Sequence, residues 1–121
     1  MVNVLDQLIQ RTHWLVLTGA GVSAESGVPT YRDRNGIWQR KPPVKHDEFI
    51  KQHSARQRFW SRNMIGWRFM TSAKPNVAHN MLADLEAIGH VGCLITQNVD
   101  GLHQRAGSRM VIDLHGRVDT V

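Results

Sequence analysis

The chain contains a single cysteine, Cys93, among 121 residues. One thiol cannot close an internal disulfide and cannot by itself build a cysteine-based zinc site. Cys93 sits in the apolar run Val91-Gly92-Cys93-Leu94-Ile95, where a buried, inert thiol in a reducing cytoplasm is expected. Long hydrophobic runs are also missing. None approaches the roughly 20 residues that span a bilayer as a helix, so no membrane partner is expected. The opening residues, Met-Val-Asn-Val-Leu-Asp-Gln, have neither the basic flank nor the apolar core of a secretory leader. Acidic residues are the scarcer charge, ten against fifteen Lys and Arg, for a net charge of +5. The excess is concentrated between residues 32 and 74, with eleven basic residues against Asp33, Asp47 and Glu48. Such a stretch suits phosphates, acidic partners or a solvated helical face. It contains no nucleic-acid module, so no specific nucleic-acid partner is expected.

What is present is a repeated pattern of short apolar runs ending in polar or glycine residues. Trp14-Leu15-Val16-Leu17 runs directly into Thr18-Gly19-Ala20-Gly21-Val22-Ser23-Ala24. Gly19 allows a sharp bend, and Gly21 removes a side chain so that a ligand can approach the backbone. Ala24 stands where a dinucleotide fingerprint accepts Gly or Ala. A tight strand-to-helix turn with no ligand reads equally well from this segment alone. Two further runs shift the balance. Val91 to Ile95 leads into Thr96-Gln97-Asn98-Val99-Asp100, and Met110 to Asp113 leads into Leu114-His115-Gly116. In an open parallel sheet these carboxyl ends lie on one side and form the ligand crevice. Ser23, Gln97, Asn98, Asp100 and His115 would then converge.

The coarse pattern is that of an α/β fold: a Rossmann-like parallel sheet of about three strands, at 14–18, 91–96 and 110–114, with flanking helices. Asn3 is expected to cap a first helix bearing Val4, Leu5, Leu8 and Ile9 on one face. Residues 28–46, with Pro29, Gly36, Pro42 and Pro43, read as a long loop of the lid kind. Asp47 is expected to cap a short helix through residue 52. A second helix over about 54–70 carries Phe59, Trp60, Met64, Trp67 and Phe69 as core or interface residues. Pro75 is placed in the first turn of the next helix, with Val77, Met81, Leu82, Leu85 and Ile88 as its apolar stripe and Gly89 as its stop. A short helix over 99–106 ends at Gly107.

Taken together, the three glycine- and polar-ended segments resemble the sirtuin family of NAD-dependent protein deacylases and ADP-ribosyltransferases. The resemblance runs from about residue 6 to residue 121, and Arg56 to Trp67 with Pro75-Asn76-x-Ala78-His79 resemble the class II branch. It implies NAD as cofactor and acylated lysine side chains of proteins as substrates. It also implies a monomer in the cytoplasm, or in the mitochondrial matrix for a eukaryotic source. His115 matches the family's base, suited to the role because imidazole titrates near neutrality. The cofactor site implied by the match comprises Gly19, Ala20, Gly21, Ser23, Tyr31, Arg32, Gln97, Asn98 and Asp100. Asn98 and Asp100 correspond to the nicotinamide pocket, and Asp100 could also cap the following helix. Tyr31 and Arg32 correspond to an aromatic–arginine pair that covers the reacting ribose. Thr30 replaces the family's usual Asp. His79 and His103 correspond to structural positions, with no catalysis assigned.

One branch of the family grips acidic acyl groups with Tyr and Arg three residues apart. Asn63 and Gly66 stand there, so no succinyl preference is expected. The family's zinc-binding cysteine pairs and later strands have no counterpart in the chain. Residues 1–121 are thus expected to form a partial NAD-binding domain, comprising a cofactor loop at 28–46 and a helical segment at 47–74. The isolated piece is expected to have poor stability and little activity. Two other readings stay open: a noncatalytic module that binds NAD or ADP-ribose, and a Rossmann oxidoreductase. The oxidoreductase fits worst, because a charged, proline-containing loop stands where its second strand and ribose-binding acid belong.

Overall fold

The computed structural model describes residues 3–120 except Tyr31, Arg34, Trp38 and Arg40. Each of the three apolar runs becomes a strand: β1 (Trp14–Thr18), β2 (Val91–Thr96) and β3 (Val111–Asp113). They form one parallel sheet in the order β1-β2-β3. The third strand is shorter by a residue at each end than the sequence suggests. Met110 and Leu114 nonetheless pair with β2 through Leu94 N–H to Met110 O (2.8 Å) and Leu114 N–H to Thr96 O (2.9 Å). Register slips between Trp14 and Leu15, next to His13 at φ 62°. Gly92 makes room for that irregularity, since a Cβ there would lie 3.1 Å from His13 Cα.

The flanking helices are α1 (Val4–Ile9), α2 (His46–Lys51), α3 (His53–Ser72), α4 (Val77–Ala87) and α5 (Leu102–Ala106). A 3₁₀ helix, Ala20–Ser26, follows the glycine turn. Asn3 caps α1 as expected, its side chain accepting Leu5 N–H at 3.2 Å. Three helix starts differ from the sequence reading. Asp47 is not a cap: Lys45 holds that position without a side-chain bond, and Asp47 lies in the first turn of α2 with Glu48. Carboxylates there favour the partial positive charge of the helix start. Pro75 lies outside α4, and Asn76 caps it. The last helix begins later than expected, at Leu102, because Gly101 takes up a left-handed conformation (φ 67°) just before it. Within the 28–46 loop, Asp33 Oδ1 accepts the N–H groups of Asn35 and Ile37, both at 2.9 Å.

The core lies on one face of the sheet. Leu94 and Leu102 are fully buried, with Val91 close behind, and α4 packs against both β2 and α5. The opposite face is bare. Register places Leu15 and Leu17 beside Cys93 and Ile95, and Ile95 beside Ile112. Leu15 is 68% exposed, Leu17 63% and Ile112 51%. Cys93 is only half-buried for this reason, not the buried thiol expected. The expected apolar stripes of α1 and α4 are also largely uncovered: Val4, Leu5, Ile9, Val77, Met81 and Ile88 are all exposed. The α3 aromatics, read as core or interface, are exposed as well. Periodicity marks which face of an element is apolar but not what covers it, and parallel sheets ordinarily bury both faces.

This asymmetry predicts two different costs in the 121-residue chain. Leu94→Ala should cost about 2–5 kcal/mol through cavity formation. Leu15→Ala should stay within about 0.5 kcal/mol, as for an exposed side chain. Denaturant unfolding of both variants measures the contrast, and equal losses would contradict the one-faced core.

Candidate active site

All three strands release their chains at the same edge of the sheet, and the polar residues gather there. A cavity of about 780 Å³ opens at this edge. Ala20, Ser23, Gln97, Asn98, Asp100 and His115 line it, drawn from the turns after β1, β2 and β3. Gly19 and Gly21 adjoin it in the first turn. A Cβ on Gly21 would meet no atom within 4 Å, so the backbone there is open to close approach. Arg32 is exposed on the following loop. Tyr31, expected to cover the site, lies outside the described residues. Phe59 and Phe69 of α3 form part of the cavity's far wall beside Asn63 and Gly66, so these rings serve the cavity and not the core.

The centre of the site is the hydroxyl of Ser23, which is fully buried. It donates to Asp100 Oδ2 at 2.7 Å. It accepts from Asn98 Nδ2 at 3.1 Å and contacts His79 Nε2 at 3.3 Å. The tautomer of His79 follows from its other nitrogen, because Nδ1 accepts the backbone N–H of Asn76 at 3.2 Å. Neutral His79 therefore carries its proton on Nε2 and donates it to Ser23. Asn98 uses both amide hydrogens, one on Ser23 and one on the carbonyl of Gly19 at 3.0 Å. Its Oδ1 is left as the acceptor available to a ligand. Asp100 Oδ1 accepts Leu102 N–H at 2.9 Å, so the carboxylate, one residue ahead of the Gly101 cap position, bonds the first turn of α5 while it holds Ser23.

His115 is exposed at the rim. Its Nδ1 contacts the carbonyl of Gln97 at 2.9 Å. A carbonyl only accepts, so Nδ1 bears the hydrogen and Nε2 holds the lone pair, which is the arrangement a general base needs.

Sequence reasoning missed how Asn76 contributes. It caps α4 by accepting Ala78 N–H at 2.9 Å and His79 N–H at 3.4 Å, and His79 answers on the backbone of Asn76. Its Nδ2 also donates to Val22 O at 2.8 Å and Ser26 Oγ at 3.0 Å, which ties α4 to the 3₁₀ helix. The Asn-x-x-His spacing of a capping box was the available signal.

Burial lowers the pKa of His79 from its ordinary value, against the opposing charge of Asp100. Burial also pushes His103 down to about 4, with the neighbouring His79 adding to the effect. The two rings lie 4.8 Å apart. In the unfolded chain an imidazole takes a proton near pH 6.5, whereas folded His103 resists until about pH 4. The stability contributed by its neutral form is present above pH 6.5 and is lost progressively as the pH falls toward 4. Thermal melts should show Tm falling across that window, with a shallower fall for His103→Gln. A Tm that is flat from pH 7 to 4.5 would contradict the assignment.

Comparison with known proteins places this arrangement. Residues 19–121 match the model of the Sir2 family. The chain is 53% identical over 119 residues to an NAD-dependent protein deacetylase 2 of Bradyrhizobium diazoefficiens, covering 98% of this chain and 44% of that protein. It is 56% identical over 106 residues to an NAD-dependent protein deacetylase of Bordetella pertussis, covering 88% of this chain and 39% of that protein. The solved structure of a Sir2–p53 peptide–NAD+ complex superposes with a TM-score of 0.80 at 42% identity, over 94% of this chain and 45% of that one. The chain thus spans less than half the length of the relatives it matches. With its parallel sheet, its glycine turn and the family match over residues 19–121, the chain belongs to the Sir2 family, the sirtuins.

Proposed function

We propose that the whole protein is an NAD-dependent protein-lysine deacylase, with His115 as its general base. The observation that carries this reading is the His115–Gln97 bond, which leaves Nε2 as the unprotonated ring nitrogen at the rim of a cavity shared with Ser23, Asn98 and Asp100. The relatives support it by name, and one solved relative was captured with both a peptide and NAD+.

The residues present fit a dinucleotide. The open backbone at Gly21 and the unused Oδ1 of Asn98 are both features that a ligand would complete. When bound, NAD supplies a ribose carbon activated by departure of nicotinamide, to which an acyl-lysine oxygen can add. Asn98 Oδ1 would accept from the carboxamide of nicotinamide and fix its orientation. Asp100, already holding Ser23 and Leu102, acts by keeping the loop in place. The glycine turn, with Ala20 and Ser23, would hold the phosphates and ribose beside Gln97. Tyr31 and Arg32 are proposed to shield the reacting face. His115 Nε2 would take the proton of a ribose hydroxyl as that oxygen attacks the transferred acyl carbon.

A structural zinc, implied by the resemblance for the whole enzyme, finds no group of three His, Cys, Asp or Glu side chains to hold it among the described residues. No step here uses it. Residues 1–121 would supply the NAD-binding part, with the loop at 28–46 over the cofactor and the segment at 47–74 walling the acyl side. The Arg56 to Trp67 stretch supports the class II branch. The same reading carries a monomer in the cytoplasm acting on acylated lysine side chains, and a lone thiol without a disulfide is consistent with that compartment.

Two experiments on the full-length protein test the proposal. His115→Ala should lower deacylation about 10²–10⁴-fold while NAD affinity stays near that of the unaltered protein, measured by peptide turnover and calorimetry. Undiminished turnover would remove the base from the mechanism. Acetyl, succinyl and long-chain acyl peptides should then be compared by kcat/KM. No succinyl preference is expected, because Asn63 and Gly66 line the cavity where a carboxylate clamp would need Tyr and Arg. A large succinyl preference would overturn that part.

A further inference from the structure

His103 belongs to no step above, yet its ring is almost wholly buried at 1% exposure. A buried imidazole loses hydration, and a leucine of similar volume would pack against α4 without that cost. Its polar contact shows what the ring does. Nε2 lies 2.9 Å from Thr18 Oγ1 at the tip of β1. Thr18 gives its own hydrogen to Thr96 Oγ1 at the tip of β2, also at 2.9 Å. The hydrogen in the His103–Thr18 contact must then come from the ring, so Nε2 is protonated. Nδ1, buried with no partner, is a bare acceptor. Thr96 Oγ1 in turn accepts the backbone N–H of Asn98 at 3.1 Å. A continuous line therefore runs from His103 through two threonine hydroxyls to the main chain of Asn98, whose side chain holds Gly19 and Ser23. The same ring packs against His79, another support of Ser23.

We propose that His103 is a positioning residue for the NAD site: its Nε2–H bolts together the tips of β1 and β2 and so sets the Asn98 backbone, on which the Gly19 turn and the Ser23 hydroxyl both depend. The inference rests on the deacylase reading for its activity arm but not for its structural arm. His103 touches neither reacting atom and acts only through Thr18, Thr96 and Asn98.

The test uses the full-length protein with three substitutions. In His103→Gln the side-chain amide nitrogen reaches about as far as Nε2. In His103→Asn the nitrogen stops where the partnerless Nδ1 lies. His103→Phe keeps the ring volume and removes the donor. For each variant, Tm, amide hydrogen exchange at Asn98, NAD affinity, and kcat and KM for an acetylated peptide are measured, with His115→Ala as the catalytic control. In His103→Phe and His103→Asn, Asn98 should exchange at least about tenfold faster, as for loss of one buried hydrogen bond. NAD affinity and kcat should fall by a similar factor while peptide KM is unchanged. His103→Gln should restore exchange and kcat to within about threefold, whatever its Tm, since a single well-placed donor is all the role requires. The proposal is overturned if the folded Phe variant keeps the original exchange rate at Asn98, or if Gln and Asn behave alike. If the unaltered protein turns over no acyl peptide but the exchange pattern holds, the positioning role stands and the deacylase reading falls.

Discussion

A hydroxyl has one hydrogen to give and two lone pairs with which to accept, and Ser23 uses all three. Its partners, Asp100, Asn98 and His79, come from two different parts of the chain and meet on this one oxygen. Because the oxygen is fully buried, water cannot replace a missing partner. The turn after β1, the loop after β2 and the start of α4 are consequently held to one geometry. The fold contributes the setting, since parallel strands deliver their carboxyl ends to a single edge.

The second consequence concerns charge. A protonated His79 would present an N–H to the backbone N–H of Asn76, two donors facing each other, and would break the reciprocal half of the α4 capping box. A protonated His103 would carry a buried Nδ1–H with nothing to receive it. Geometry as well as burial thus disfavours a proton on either ring, and the carboxylate that bonds the Ser23 hydroxyl is that of Asp100. That carboxylate is already engaged by Ser23 and by the start of α5. His115 differs in kind. It stands at the exposed rim with one nitrogen tied to a carbonyl, apart from the two buried imidazoles that pack against each other.

Much of this was legible in the sequence. Short apolar runs bounded by glycine and polar residues located β1 and β2 to the residue, and the strand-end rule brought Ser23, Gln97, Asn98, Asp100 and His115 together before any coordinates did. That Asp100 could bond the start of α5 was also readable, because an acid just ahead of a short helix can accept its first N–H, but its bond to Ser23 was not. What was not legible depended on partners distant in the chain. The pattern places Pro75 in the first turn of α4 and does not mark Asn76 as its cap, and the hold of Asn76 on Val22 and Ser26 exists only once α4 lies beside the 3₁₀ helix. The contact of His103 with Thr18 is of the same sort. The apolar faces of α1, α3 and α4 were visible as patterns, yet a pattern does not say whether the covering atoms belong to the same 121 residues. Among the described residues those faces are largely uncovered, and Cys93 on the exposed sheet face is only half-buried.

The distance along the chain between the partners has a consequence for how the molecule is made. Ser23 and Asp100 are 77 positions apart, Thr18 and Thr96 are 78, and Thr18 and His103 are 85. Closing spans of this length costs entropy before any contact repays it, and parallel pairing offers no local hairpin as a starting point. The glycine turn is synthesised well before Asn98 and Asp100, so its bonds to them form only once those residues have been made. The cluster around Ser23 is therefore a late product of folding, and a partly made chain with an intact glycine motif lacks the contacts that shape that turn.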